Sequence, residues 1–120
     1  LTALFLTAPA VSAQSAARDG TFRGIGLAEG MELKLSTLDG IVQGTFTESN
    51  GAQSVVRLRQ TDPGNAIGTV RVQGVPVFML LEFREDGNVG LGTVPLNSAG
   101  QPITGAAQGF DFVPERVGRF

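Results

Sequence analysis

Between Met31 and Glu48 the chain reads MELKLSTLDGIVQGTFTE, and this stretch constrains the fold more than any other. Met31, Leu33 and Leu35 alternate with Glu32, Lys34 and Ser36. That is the two-residue period of a strand with one apolar and one polar face. Asp39-Gly40 interrupts the run, and both residues tolerate the positive φ that a type I′ hairpin turn demands. The stretch is therefore predicted to be a β-hairpin, with a second arm that sets Val42, Gly44 and Phe46 on one face.

The remaining chain repeats this grammar. Gly20 to Leu27 reads as a first strand, bent or bulged at Gly24 and Gly26 where no side chain is available to pack. After the turn Ser49-Asn50-Gly51, Val56 and Leu58 alternate with Arg57 and Arg59. TDPGN at Thr61 to Asn65 is a loop signal, because Pro sets φ for a turn and Gly follows it. Val70 and Val72 then alternate with Thr69 and Arg71. Val77 to Phe83, VFMLLEF, is apolar at both parities as far as Leu81, and such a strand is expected to be covered on both faces at the centre of the core. Past the turn at Glu85 to Asn88, Val89, Leu91 and Thr93 alternate with small or polar neighbours. Asn97 to Pro102 reads as loop, and a loop-rich tail from about residue 102 holds one last short strand through Phe110 and Phe112.

Seven or eight short strands joined by tight turns predict a single all-β domain over residues 20–120, built as an antiparallel meander. A small closed barrel of calycin or avidin-like architecture and a two-layer sandwich both satisfy the pattern. Closure removes exposed edges, which favours the barrel. The 17 glycines and 6 prolines are spread along the chain, as many turns require.

Residues 1–13 follow a different pattern. An apolar run through Leu1, Leu4, Phe5 and Leu6 ends in the small residues Val11-Ser12-Ala13, the pattern of a secretory signal peptide that is too short to span a bilayer. Cleavage after Ala13 is expected, with Ala8-Pro9-Ala10 as a second candidate; a buried N-terminal strand or helix is the structural alternative. Residues 14–19 would then be a flexible lead-in. With no Cys, the exported product has neither a disulfide framework nor an N-terminal Cys to carry a lipid. These features predict a periplasmic or extracellular protein that is not a lipoprotein, with no membrane helix in its mature part.

His, Cys, Tyr and Trp are all missing, which removes the usual general base, the thiol nucleophile and the imidazole and thiolate metal ligands. Asp39, Asp62, Glu85 and Asp86 each have a turn-forming reason to be present, so the residues predict no catalytic centre, no metal and no cofactor. Carboxylate-based hydrolysis is the one enzymatic alternative that the composition leaves open. A formal charge of −2 provides no basic footprint for nucleic acid.

Three groups remain as candidate ligand-binding residues. Phe22, Phe46 and Phe78, with Met79 and Phe83, are expected in or near the interior. Glu82 interrupts the most apolar strand; it is either buried, paired with Arg71 or Arg84, or exposed where the strand leaves the core. Arg57, Arg59 and Arg71 would share one face if their strands pair around TDPGN, either as an anion-binding stripe or as a solvated outer wall.

Asp39 to Leu58, DGIVQGTFTESNGAQSVVRL, resembles the early hairpins of the avidin family in its order of short strand, Gly-containing strand with an aromatic, and polar turn. The resemblance covers about a sixth of the chain. It implies an eight-stranded barrel around a small ligand in a pocket lined by Trp and Tyr. Neither residue is present here, and Phe22 stands where an aromatic near the start is expected, so biotin binding is not implied. Lipocalin-like barrels are a looser comparison.

Two functional expectations result. The first is an exported non-catalytic domain that binds a small or apolar ligand or an envelope partner. The second is a structural or self-assembling envelope protein without a ligand.

Overall fold

The computed structural model describes residues 19–115, so the apolar leader of residues 1–13 and the greater part of the lead-in lie outside the described residues. The strands are β1 (Gly20–Ile25), β2 (Glu32–Leu38), β3 (Ile41–Thr47), β4 (Gln53–Asp62), β5 (Asn65–Val72), β6 (Val75–Phe83), β7 (Val89–Pro95) and β8 (Gln108–Pro114). Each pairs antiparallel with the next, and β8 returns to β1, which closes an eight-stranded up-and-down barrel. Closure is made by Phe22 opposite Pro114 and Gly24 opposite Phe112. The structure thus decides for the barrel over the sandwich, and the last strand expected through Phe110 and Phe112 is β8, the closing strand.

Turn chemistry sets the register. Asp39 and Gly40 have φ of 53° and 79°, the positive pair of a type I′ turn. This turn aligns Leu35 with Gly44 and Leu33 with Phe46. Gln73 and Gly74, at φ 50° and 83°, make the same turn between β5 and β6. Asx contacts shape four further turns: Asp62 Oδ1 accepts from Gly64 N, Asp86 Oδ1 from Asn88 N, Asn50 Oδ1 from Ala52 N, and Asn97 Oδ1 from Ala99 N, all within 2.9 Å. One irregularity between Gln60 and Asp62 puts an extra residue in β4, a bulge that tightens the twist where the barrel turns.

Alternation sends one face of every strand inward. Phe22, Leu33, Leu35, Val42, Phe46, Val56, Leu58, Val70, Met79, Leu81, Leu91 and Phe112 all belong to one buried cluster. Leu33, Val42, Val56, Met79, Leu81 and Phe112 expose no surface, so no void large enough for a water molecule opens onto them. The lumen at their level is packed like any protein core.

Three inward positions carry glycine because the backbone passes too close for a side chain. A Cβ at Gly24 would overlap the Ala28 carbonyl, and one at Gly44 would overlap the Lys34 carbonyl oxygen. At Gly68 it would lie 3.0 Å from the Arg57 carbonyl oxygen. These glycines let β1, β3 and β5 bend sharply enough for a narrow barrel to close.

β6 is not covered on both faces. Val77, Met79 and Leu81 point inward and are buried, whereas Leu80 on the outer wall is 38% exposed and Glu82 is exposed. Phe78 shares the parity of Leu80 and lies half-buried on the outer wall, opposite Thr69 and Val94, not in the interior where it was expected. The outer wall of a meander has no second layer, so the apolar residues of the second parity face outward.

Candidate functional site: a glycine-floored groove on the outer wall

Register brings the site together on β6, β7 and β8. Glu82 lies opposite Gly90, and Gly90 opposite Asp111, so two carboxylates flank a residue without a side chain. In the next row Leu80 lies opposite Gly92, and Gly92 opposite Gly109. With glycine at three outward positions, the middle of this wall is missing its side chains, and a groove of about 400 Å³ results. Leu80 forms one apolar wall.

Arg84 crosses the head of the groove. Its Nε donates to Glu82 Oε1 at 3.3 Å and its Nη1 donates to Asp111 Oδ1 at 2.9 Å. The guanidinium lies directly over Gly90, where an added Cβ would come 2.5 Å from Arg84 Nη2. The Asp111 hydrogen bond above all holds Arg84 charged, raising its pKa beyond the usual arginine value against the opposing effect of desolvation. Both carboxylate side chains are 57% exposed. The result is a fixed constellation of two anions and one cation at the rim of an apolar hollow.

The other candidate residues are dispersed. Phe22 and Phe46 are buried in the lumen, at 2% and 4% exposure, and Phe83 is half-buried against the core. Glu82 is not buried, and its partner is Arg84; Arg71 instead donates to the Gly74 carbonyl at 2.8 Å within its own turn. Arg57 and Arg59 on β4 and Arg71 on β5 do share the outer face, all exposed, opposite Gln43, Ile41 and Pro76 respectively. Arg84 was expected as one of two possible partners of Glu82, whereas Asp111 and the three groove glycines were not singled out from the sequence. The one local signal was the alternation of glycine along Val89-Gly90-Leu91-Gly92.

Two hydroxyls on the inward parity, Thr37 Oγ1 and Ser54 Oγ, are buried with no hydrogen-bond partner among the described residues. At the mouth formed by the β1–β2, β5–β6 and β7–β8 connections, Leu27 is 88% exposed, with Val75 and Ile103 also exposed. Among the described residues no group of three or more acidic side chains is placed to hold a metal ion, and no helix is long and apolar enough to cross a membrane.

The class defined by these features is a closed antiparallel barrel, filled at mid-height by its described lumen residues, with a polar-rimmed groove on its outer wall. No protein-family model, curated protein or solved structure matches the chain.

Proposed function

We propose that the protein is an exported, non-catalytic barrel that binds an envelope partner through its outer wall, at the groove over β6, β7 and β8. The observation that carries this reading is the contrast between the filled lumen and the hollow wall. Small-ligand barrels hold their ligand in a lined cavity at the mouth or centre. Here the lumen residues leave no such space at mid-height, while the outer wall presents an apolar hollow with charged groups at one end. An apolar centre with a charged rim is the anatomy of a protein-binding surface.

Export is supported by the apolar leader and its small-residue cleavage pattern. The mature barrel carries apolar side chains inward and Lys34, Gln43, Arg57, Arg59 and Arg71 outward, the reverse of a barrel that spans a membrane. The absence of a catalytic role is supported by the site itself. Glu82 and Asp111 converge, but Arg84 stands between them and both are open to water, whereas a carboxyl serving as general acid needs a dry, unpaired setting.

Photo-crosslinking in an exporting host tests this reading. A photoreactive residue at Leu80 is expected to capture a protein partner, and the same residue at Leu27 on the apolar mouth is expected to capture none. Capture from Leu27 alone would move the binding site to the mouth.

A further inference from the structure

Resting on the proposal that the groove binds protein, we infer that its occupant is a second copy of this chain, which inserts the ridge formed by Val55 and its flanking arginines. Val55 is the most exposed apolar strand residue, at 79%, and projects from β4 with Arg57 two residues further on the same face. Arg71 lies on the same outer wall of β5. The ridge is thus an apolar knob flanked by cations. The groove is its converse, an apolar hollow whose rim of two carboxylates and one guanidinium is negative on balance.

The details of the groove fit this occupant. A Cβ built at Gly109 meets nothing within 4 Å, so the floor leaves room for an incoming branched side chain. Arg84 occupies Glu82 Oε1 and Asp111 Oδ1. Oε2 and Oδ2 therefore remain open to further donors, and a guanidinium is suited to bridge carboxylate oxygens. The Arg57 and Arg59 side chains make no hydrogen bond or ion pair among the described residues, so no internal side-chain contact has to break for them to engage.

Placement decides the form of the assembly. The ridge lies on β4 and β5 and the groove on β6, β7 and β8, so ridge and groove are two different surfaces of the same wall. A contact between two different surfaces is heterologous and adds copies head to tail, into a ring where the rotation closes and an open chain where it does not. Among the described residues the closed barrel leaves no strand edge free, so growth proceeds through side chains and not by sheet extension.

Sedimentation velocity with two variants of the full exported chain tests this. Gly109→Leu fills the groove and keeps the ridge; Val55→Glu with Arg57→Glu reverses the ridge and keeps the groove. Both sites are at the surface, and unchanged denaturation midpoints establish that each variant folds. The wild type is expected to sediment faster as its concentration rises and to lose this in high salt. Each variant alone should remain a single chain. An equimolar mixture should form a two-chain species and nothing larger, because each variant retains one half of the contact.

A wild type that stays a single chain at every concentration, or variants that assemble as the wild type does, would overturn the proposal. Crosslinking from Leu80 then separates the two readings. Capture of a different exported protein by a single-chain wild type removes the second copy and keeps the groove; no capture removes both.

Discussion

Arg84 donates from Nη1 to Asp111 Oδ1 at 2.9 Å, reaching from the end of β6 to β8 across Gly90 on the strand between. The bridge exists because Gly90 has no side chain. Gly90→Ala would put a methyl group 2.5 Å from Arg84 Nη2, and the guanidinium, as the far end of a flexible side chain, would swing away. A double-mutant cycle with Arg84→Ala and Asp111→Ala is expected to give a coupling of about 0.2–1 kcal/mol in the wild type, the range for exposed pairs, and close to none in the Gly90→Ala background. Equal coupling in both backgrounds would mean that Gly90 does not hold the bridge open.

Space and backbone conformation can be separated at two glycines. Neither Gly40 nor Gly109 has a neighbour within 4 Å of an added Cβ, but only Gly40 has a positive φ, of 79°. Gly40→Ala is expected to destabilise the barrel by about 1–2 kcal/mol, the cost of left-handed backbone for an L-residue. Gly109→Ala is expected to be neutral or to stabilise by up to about 1 kcal/mol through the unfolded chain. Chemical denaturation of both checks this, and equal effects would contradict it.

Gly44 represents the opposite case, an obstruction by backbone. Its Cβ would overlap the Lys34 carbonyl oxygen on the paired strand, which cannot rotate away. Gly44→Ala is expected to cost about 3 kcal/mol or more, at the upper end of overpacking effects. A midpoint close to that of the wild type would show that β2 and β3 can separate there.

Ser54 tests how dry the lumen is. Its hydroxyl is buried without a partner among the described residues, and removing an unpaired polar group is neutral or favourable. Ser54→Ala is expected to leave stability unchanged or raise it by up to about 1 kcal/mol. A loss of stability of that size would reveal a bound group that the hydroxyl serves.

The sequence conveyed the architecture through local chemistry. Asp39-Gly40 declared its turn, and alternation in β2, β3 and β4 declared which residues face the core. Gln73-Gly74 makes the same turn but was not legible, because a long polar side chain at positive φ is uncommon. VFMLLEF hid its parity, since both faces of β6 are apolar; only pairing with β5 and β7 decides that Met79 points in and Phe78 out. Of the two partners expected for Glu82, Arg71 and Arg84, the structure selects Arg84. Arg84 follows Glu82 on the same face two residues later, whereas Arg71 is held by its own turn at Gly74. Arg71→Ala is accordingly expected to have little effect on stability, not the orphaning of a buried charge. The groove itself was illegible, because Arg84 and Asp111 are 27 residues apart and meet only through the register of three strands.

The central claim is that binding takes place on the outer wall of a filled barrel. Native mass spectrometry of the protein, purified without denaturation, tests it most directly. The account predicts masses equal to the chain or to whole multiples of it, with no added small molecule. A small-molecule mass retained under native conditions and released on unfolding would contradict it, and would place a ligand in the lumen after all.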